Sequence, residues 1–277
     1  MVLASVQSVS KMDLPANNVD AWLAQISVGR SETDLKRIES AAHYAIKAHE
    51  GQLRRSGEDY VNHTFAVAAI VHELGLDADG VIAALLHDTV EDTDVTLEDL
   101  SKEFGPSVAQ LVDGVTKMEV IQEFSDEAQQ KHNQNAKAES LRKMMLAMVD
   151  DVRVVLIKLC DRLHNMRTLG AVNEAKQRRV ATETLEIFSP LANRLGVWQI
   201  KWELEDLAFR YIEPEIYNSI AKKISERRVD RQSFIDDFIG QLQQQLAEQN
   251  ITALVQGRVK HILSIWNKMR KKDLEFE

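Results

Sequence analysis

The stretch Val81-Ile82-Ala83-Ala84-Leu85-Leu86-His87-Asp88-Thr89-Val90-Glu91-Asp92 joins an apolar run to four ionisable groups within six residues. The apolar half belongs in a core. The second half asks for a chemical explanation. On a helix, His87 and Glu91 stand four apart, Asp88 and Asp92 four apart, and Asp88 and Glu91 three apart, so all four converge on one side. Carboxylates held this close repel unless a cation lies between them or one keeps a proton. Histidine nitrogens with carboxylate oxygens suit Mn, Fe, Zn or, less well, Mg, and the lack of cysteine ligands argues against a structural zinc. A solvated helix end is the alternative reading. Two side chains rarely hold a metal alone; His63, at the start of the preceding helix, and Asp161, after the apolar segment Val154 to Cys160, are candidates for the remaining ligands.

Outward from this stretch, apolar residues recur at helical spacing almost everywhere. Helices are expected over Asp34 to Glu50, from Phe65 to Leu74, around Val81 to Leu86, over Leu97 to Phe104 with Thr96 as cap and Gly105-Pro106 as stop, over Ser107 to Val115, Leu141 to Val149, Val152 to Arg167, Glu174 to Ala192, Val197 to Tyr211, Pro214 to about Glu248 and Lys260 to Lys271. Arg54 to Tyr60 reads as a loop and Met118 to about Ala138 as a polar, mobile segment. Residues 1–30 read as a loosely attached leader with one short helix marked by Val19, Trp22, Leu23 and Ile26. Only Ile251 to Val255 reads as a strand, which suggests that a second domain begins near residue 250 and is cut off.

The composition is that of a globular chain. Of 277 residues, 44% are hydrophobic and 28% charged, which excludes wholesale disorder; four prolines and 11 glycines favour helices over turn-rich β architecture. No apolar run approaches the roughly 20 residues of a membrane span. The N-terminus carries no basic segment before an apolar core, and the single cysteine, Cys160, cannot form an internal disulfide, so a cytoplasmic address is expected. A net charge of −9 argues against broad DNA binding but leaves room for a small anionic substrate where basic residues gather.

Several longer words then combine. His49-Glu50-Gly51-Gln52-Leu53-Arg54-Arg55-Ser56-Gly57-Glu58, Leu86 to Thr93, Val112-Asp113-Gly114-Val115-Thr116-Lys117, Lys158 to Arg167, Leu191-Ala192-Asn193-Arg194-Leu195-Gly196 and Lys201 to Tyr211 stand in this order. With His63, His87-Asp88 and Asp161, they resemble the RelA/SpoT enzymes of the stringent response, whose N-terminal part is an HD phosphohydrolase. The resemblance runs from about residue 35 to the end.

It implies an all-α HD-domain bundle over residues 31–195, a helical connector over 196–248, and the truncated start of an α/β synthetase domain over 249–277, since Gly257 to Trp266 is similar to that domain's opening. Such enzymes remove the 3′ pyrophosphate of (p)ppGpp, returning GDP or GTP, and a chain ending here would not synthesise (p)ppGpp. By the same resemblance His63, His87, Asp88 and Asp161 hold a manganese ion, and Glu91 and Asp92 position or deprotonate the attacking water. Arg54, Arg55 and Ser56 meet the guanine and pyrophosphate, and Asn165 and Thr168 touch the ribose or 3′ phosphates. The parent chain's missing domains would contact the ribosome or regulatory proteins.

Thr64 and Asp59 stand where the family commonly has Pro, and so does Val259; none of these removes a ligand. The words Ser189 to Arg194 and Glu226 to Arg231 lie closer to the RelA branch, whose hydrolase domain is often silent. A catalytically silent regulatory module is therefore the alternative, and the intact ligand set with Glu91-Asp92 favours the enzyme. His164 is not assigned as a ligand, Cys160 is read as core, and His43, His72 and His132 carry no expected catalytic task.

Overall fold

A computed structural model describes residues 18–129, 151–226, 228–253, 255 and 260–273. At its centre lies α4 (Ala78–Leu86), with Val81 through Leu86 all at 0% exposure. A helix that is apolar all round has to be enclosed. It is surrounded by α2 (Glu32–Ala48), α3 (Val61–Glu73), α7 (Pro106–Gln129) and α8 (Val152–Arg167). Each buried Val, Ile or Leu here contributes about 1.5–3 kcal/mol of transfer free energy.

Helix starts follow local chemistry. Ser31, Asp77, Asp151 and Asn173 each accept a backbone N–H at the head of their helix. Thr96 and Asp99 form a reciprocal capping box on α6 (Leu97–Phe104), which Gly105 ends at φ 96°. Gly114 has a packing reason: a Cβ there would stand 2.7 Å from Val154 Cγ2, so its absence lets α7 approach α8.

The second half continues in helices: α9 (Glu174–Glu183), α10 (Ser189–Arg194), α11 (Trp198–Ile212), α12 (Pro214–Glu226), α13 (Arg228–Glu248) and α14 (Ile262–Lys272). Between α9 and α10, Thr184–Phe188 forms a π turn in which the Ser189 N–H reaches the Thr184 carbonyl. Pro190 follows at once. Proline has no N–H and its ring crowds the carbonyl four residues back, and a locally widened turn relieves that crowding.

Four expectations need correction. The short helix near the N-terminus, α1 (Val19–Ile26), is no loose appendage: Trp22 is 1% exposed and meets the Phe65 ring edge-on at 4.9 Å. The polar stretch after Met118 continues α7 through Gln129, and the rest of it lies outside the described residues, as does the helix expected over Leu141 to Val149. No strand forms in Ile251 to Ala253 or at Val255, because a strand needs a pairing partner and none exists among the described residues. The helix read through His87 to Asp92 is broken by a turn at His87-Asp88 before α5 (Thr89–Asp92). Among the described residues no helix is long and apolar enough to cross a membrane.

Candidate metal centre

Four side chains meet where α3, α4 and α8 pack together. His63 lies in the first turn of α3, His87 caps the end of α4, Asp88 precedes α5, and Asp161 lies within α8. All four are at most 6% exposed. Single nitrogens of His63 and His87 and an oxygen of Asp161 lie within 4.8 Å of one another. Asp88 joins them, with Oδ1 3.0 Å from His87 Nε2 and Oδ2 3.6 Å from His63 Nε2; Asp161 Oδ1 is 3.2 Å from His63 Nε2.

Proton positions test whether a cation fits. His87 Nδ1 is 2.8 Å from the Ala84 carbonyl, which can only accept, so Nδ1 carries a proton. His87 Nε2, buried and facing Asp88 and Asp161, has no hydrogen-bond partner. Metal-bound histidines have this arrangement, one nitrogen on a backbone carbonyl and the other on the ion. Burial disfavours charge on His87, yet Asp88 and Asp161 outweigh it and raise its pKa. The same carboxylate field attracts a divalent cation, and proton and metal compete for it. On Asp161, burial is opposed by Lys158, whose Nζ is 2.9 Å away, and by the two histidines, which together hold the carboxyl well below the ordinary range. The donor set therefore fits a divalent metal.

Beside the centre opens a cavity of about 490 Å³. The chain from Leu53 to Asp59 folds back on itself through the Arg54 N–H to Glu58 carbonyl bond, with Gly57 at φ 87° closing the turn. That turn presents Arg54, Arg55 and Ser56 to the cavity. Arg54 donates to Asn165 Oδ1 at 2.6 Å and to Thr168 Oγ1 at 3.4 Å, and Asn165 donates in turn to Asp161 Oδ1 at 2.6 Å. Arg54, Asn165 and Thr168 thus reach the candidate ligands through one hydrogen-bonded chain. Arg55 and Ser56 are exposed at the rim, Ser56 bonding Glu58.

Glu91 and Asp92 are placed differently. Both are exposed and line a neighbouring cavity of about 680 Å³ with Tyr44, Lys47 and Gln52. The turn at His87-Asp88 sends the first pair inward and the second outward, so the one-sided convergence expected of a continuous helix does not occur. Tyr60 bridges the two regions: its hydroxyl donates to Asp88 Oδ2 at 2.8 Å and interacts with Asp92. Burial and Asp88 push the Tyr60 pKa up, which keeps the phenol a neutral donor.

Sequence reasoning left His164 unassigned and gave no role to Tyr60 or Lys158, nor to Lys176 and Arg179, which line the first cavity. The signal for the last two was their spacing with Val180 and Glu183 on one face of α9. Glu183 pairs with Arg162 at 3.0 Å, and the Arg162 guanidinium lies 4.0 Å over the Phe188 ring. Burial, then His63 and Arg54, depress the His164 pKa to about 2, so this ring is neutral. His72 accepts from Arg30, Cys160 is fully buried with its thiol pKa raised by burial, and Thr64, a departure from the proline common in the resembled family, turns its hydroxyl back to the Val61 carbonyl. His43 is exposed; His132 lies outside the described residues.

Known proteins of similar sequence sharpen the reading. A guanosine-3′,5′-bis(diphosphate) 3′-pyrophosphohydrolase of Haemophilus influenzae is 50% identical over 232 residues, covering 84% of this chain and 33% of that protein. A GTP pyrophosphokinase of Myxococcus xanthus is 45% identical over 252 residues, 91% of this chain and 33% of the relative. The bifunctional (p)ppGpp synthase/hydrolase SpoT of Escherichia coli K12 is 46% identical over 245 residues, 88% of this chain and 34% of the relative. The chain thus spans about a third of the length of these curated relatives. A family profile described as "HD domain" matches residues 41–198, which include all four candidate ligands. With more than half of its residues inside that match, the chain belongs to the HD-domain family.

Proposed function

We propose that this chain is a manganese-dependent hydrolase that releases pyrophosphate from the 3′ position of (p)ppGpp, leaving GDP or GTP. One observation carries the reading: a buried donor set of two imidazoles and two carboxylates, in which one imidazole nitrogen makes no hydrogen bond and faces both carboxylates, opens beside a cavity walled by Arg54, Arg55, Asn165 and Thr168. The activities for which the relatives are named supply the substrate. In this reading His63, His87, Asp88 and Asp161 hold the metal, whose bound form supplies Lewis acidity and a water of lowered pKa.

The chain's own residues do the rest. Arg54 and Arg55 offset the phosphate charge, and an arginine plane can lie against the guanine. Ser56, Asn165 and Thr168 offer hydrogen bonds to the ribose and 3′ phosphates. Glu91 or Asp92 takes the proton of the attacking water as the bond between phosphorus and the 3′ oxygen breaks. Since both carboxylates face the neighbouring cavity in the structure, this role requires them to act across Tyr60 and Asp88, or to turn inward when nucleotide binds. Residues 31–195 form the hydrolase unit in this reading, 196–248 a connector, and 249 onward the beginning of a synthetase domain; the protein acts in the cytoplasm.

The test is pyrophosphate release from ppGpp by the purified chain with Mn²⁺ present or chelated, alongside Asp88→Ala. Release that needs metal and vanishes in the variant is the expected result. A folded, metal-loaded chain that releases none would overturn hydrolysis in favour of a silent regulatory domain.

A further inference from the structure

His164 is the polar side chain in contact with both the metal ligands and the nucleotide turn that the proposed chemistry leaves unused. It sits on α8, three residues after Asp161, and is partly buried. Its Nδ1 lies 2.7 Å from His63 Nδ1 and 3.4 Å from Arg54 Nη1. The polarity of both contacts turns on the imidazole tautomers, and the Arg54 contact favours one of them. A guanidinium has donors and no acceptor, so the nitrogen it meets must offer a lone pair. With that lone pair on His164 Nδ1, the 2.7 Å contact has His63 Nδ1 as its donor. His63 is then left with its Nε2 lone pair turned toward Asp161 Oδ1 at 3.2 Å and Asp88 Oδ2 at 3.6 Å. A lone pair facing two carboxylates is unfavourable by itself and becomes favourable around a shared cation.

We propose that His164 is a positioning residue: its Nδ1 accepts a hydrogen bond from the His63 Nδ1–H, fixing the His63 tautomer that presents Nε2 to the metal, while the Arg54 guanidinium of the nucleotide turn rests 3.4 Å from the same nitrogen. His87 obtains its tautomer from a backbone carbonyl, whereas His63 obtains it from a side chain that also touches the nucleotide turn. Metal cradle and nucleotide loop therefore share one atom. The inference rests on reading His63, His87, Asp88 and Asp161 as a divalent-cation site.

The experiment is calorimetric titration of MnCl₂ into the full chain, stripped of metal by chelation, for wild type, His164→Leu and His164→Asn. Asparagine can place an acceptor oxygen close to where Nδ1 stood; leucine cannot. Loss of such a supporting partner costs about 10- to 100-fold in metal affinity, which is the loss expected for His164→Leu, with most of it recovered in His164→Asn. Nitrogen-15 spectra of the wild-type imidazoles supply a readout that a merely structural role would not move: His63 should carry its proton on Nδ1 and His164 on Nε2. Wild-type Mn²⁺ affinity in His164→Leu, or a His63 proton on Nε2, would overturn the inference. Failure of the wild-type chain itself to bind Mn²⁺ would instead overturn the metal site on which the inference rests.

Discussion

Two parts of this molecule gather acidic side chains, and they do so to opposite ends. In the cradle of α3, α4 and α8, Asp88 and Asp161 are buried against imidazoles, and His87 Nε2 faces them without a hydrogen bond. At the junction of α11 and α14, Glu205 and Asp206 are surrounded by donors: Ser189 Oγ at 2.7 Å, Lys201 Nζ and His261 Nε2 reach Glu205, and the backbone N–H groups of Ile262 and Leu263 reach Asp206 at 3.0 and 2.9 Å. Asp206 thereby caps α14 from another helix, meeting two of the N–H groups that every helix start leaves open. The aromatic pairs Trp202–His261 and Phe209–Trp266 complete the clamp. The difference is one of completion. Where donors reach every carboxylate, the cluster holds helices together; where two carboxylates crowd an imidazole nitrogen that makes no hydrogen bond, the cluster is arranged for something that arrives.

If that contrast is right, substitutions should separate into losses of fold and losses of ligand. The largest fold effect is expected beside the cradle, at the enclosed Arg162–Glu183 pair. Glu183→Ala strands a buried guanidinium and should cost about 3–5 kcal/mol in denaturant unfolding; a loss below 1 kcal/mol would mean that the Arg162–Phe188 contact suffices alone. Asp161→Asn should separate the two properties more cleanly. Metal affinity should fall beyond the roughly 100-fold typical of supporting residues, while circular dichroism still shows a folded chain; equal metal binding would remove the cradle from the comparison. In the clamp, Asp206→Ala should leave metal binding intact and destabilise by about 1 kcal/mol, the usual cost of a lost cap, seen as faster hydrogen exchange in α14.

The last effect is confined to the acid limb of stability. Burial would raise the Glu205 pKa, but hydrogen bonds from His261, Lys201 and Ser189 outweigh it and bring it to about 2. A depressed carboxyl pKa stabilises the fold above the unfolded value of about 4.3, and that contribution is lost as pH falls toward 2. Glu205→Gln should therefore flatten stability against pH between about 4.3 and 2 and change nothing at pH 7 in that slope. An unchanged acid limb would show that the clamp's charges are solvated in practice.

The helices of the core were legible because apolar side chains at 3.6-residue spacing have one solution, burial on a shared face. The cradle residues were legible for a related reason: His87-Asp88 follows a fully buried apolar run, Val81 to Leu86, where no charge belongs without a purpose. What escaped was whatever depends on how helices cross. His164 meets His63 across 101 positions of sequence, and Tyr60 meets Asp88 across 28; periodicity carries no information about either. The orientation of Glu91 and Asp92 escaped because a two-residue turn at His87-Asp88 changes which way the following side chains point without changing the pattern of residues. Trp22 escaped because an eight-residue helix gives too few turns to reveal that one aromatic anchors it.

The π turn at Thr184–Phe188 has a consequence best put as phase. A π turn adds one residue to a helix, so everything after it is rotated by about 100° relative to an uninterrupted α-helix. Upstream, Lys176, Arg179 and Glu183 face the cavity; downstream, Ser189 faces Glu205 in the clamp. One continuous length of chain thus addresses two different neighbours because it carries a single residue more than a regular helix would hold. Removing one residue between Thr184 and Phe188 would bring the two halves back into step, and only one of them could then keep its neighbour.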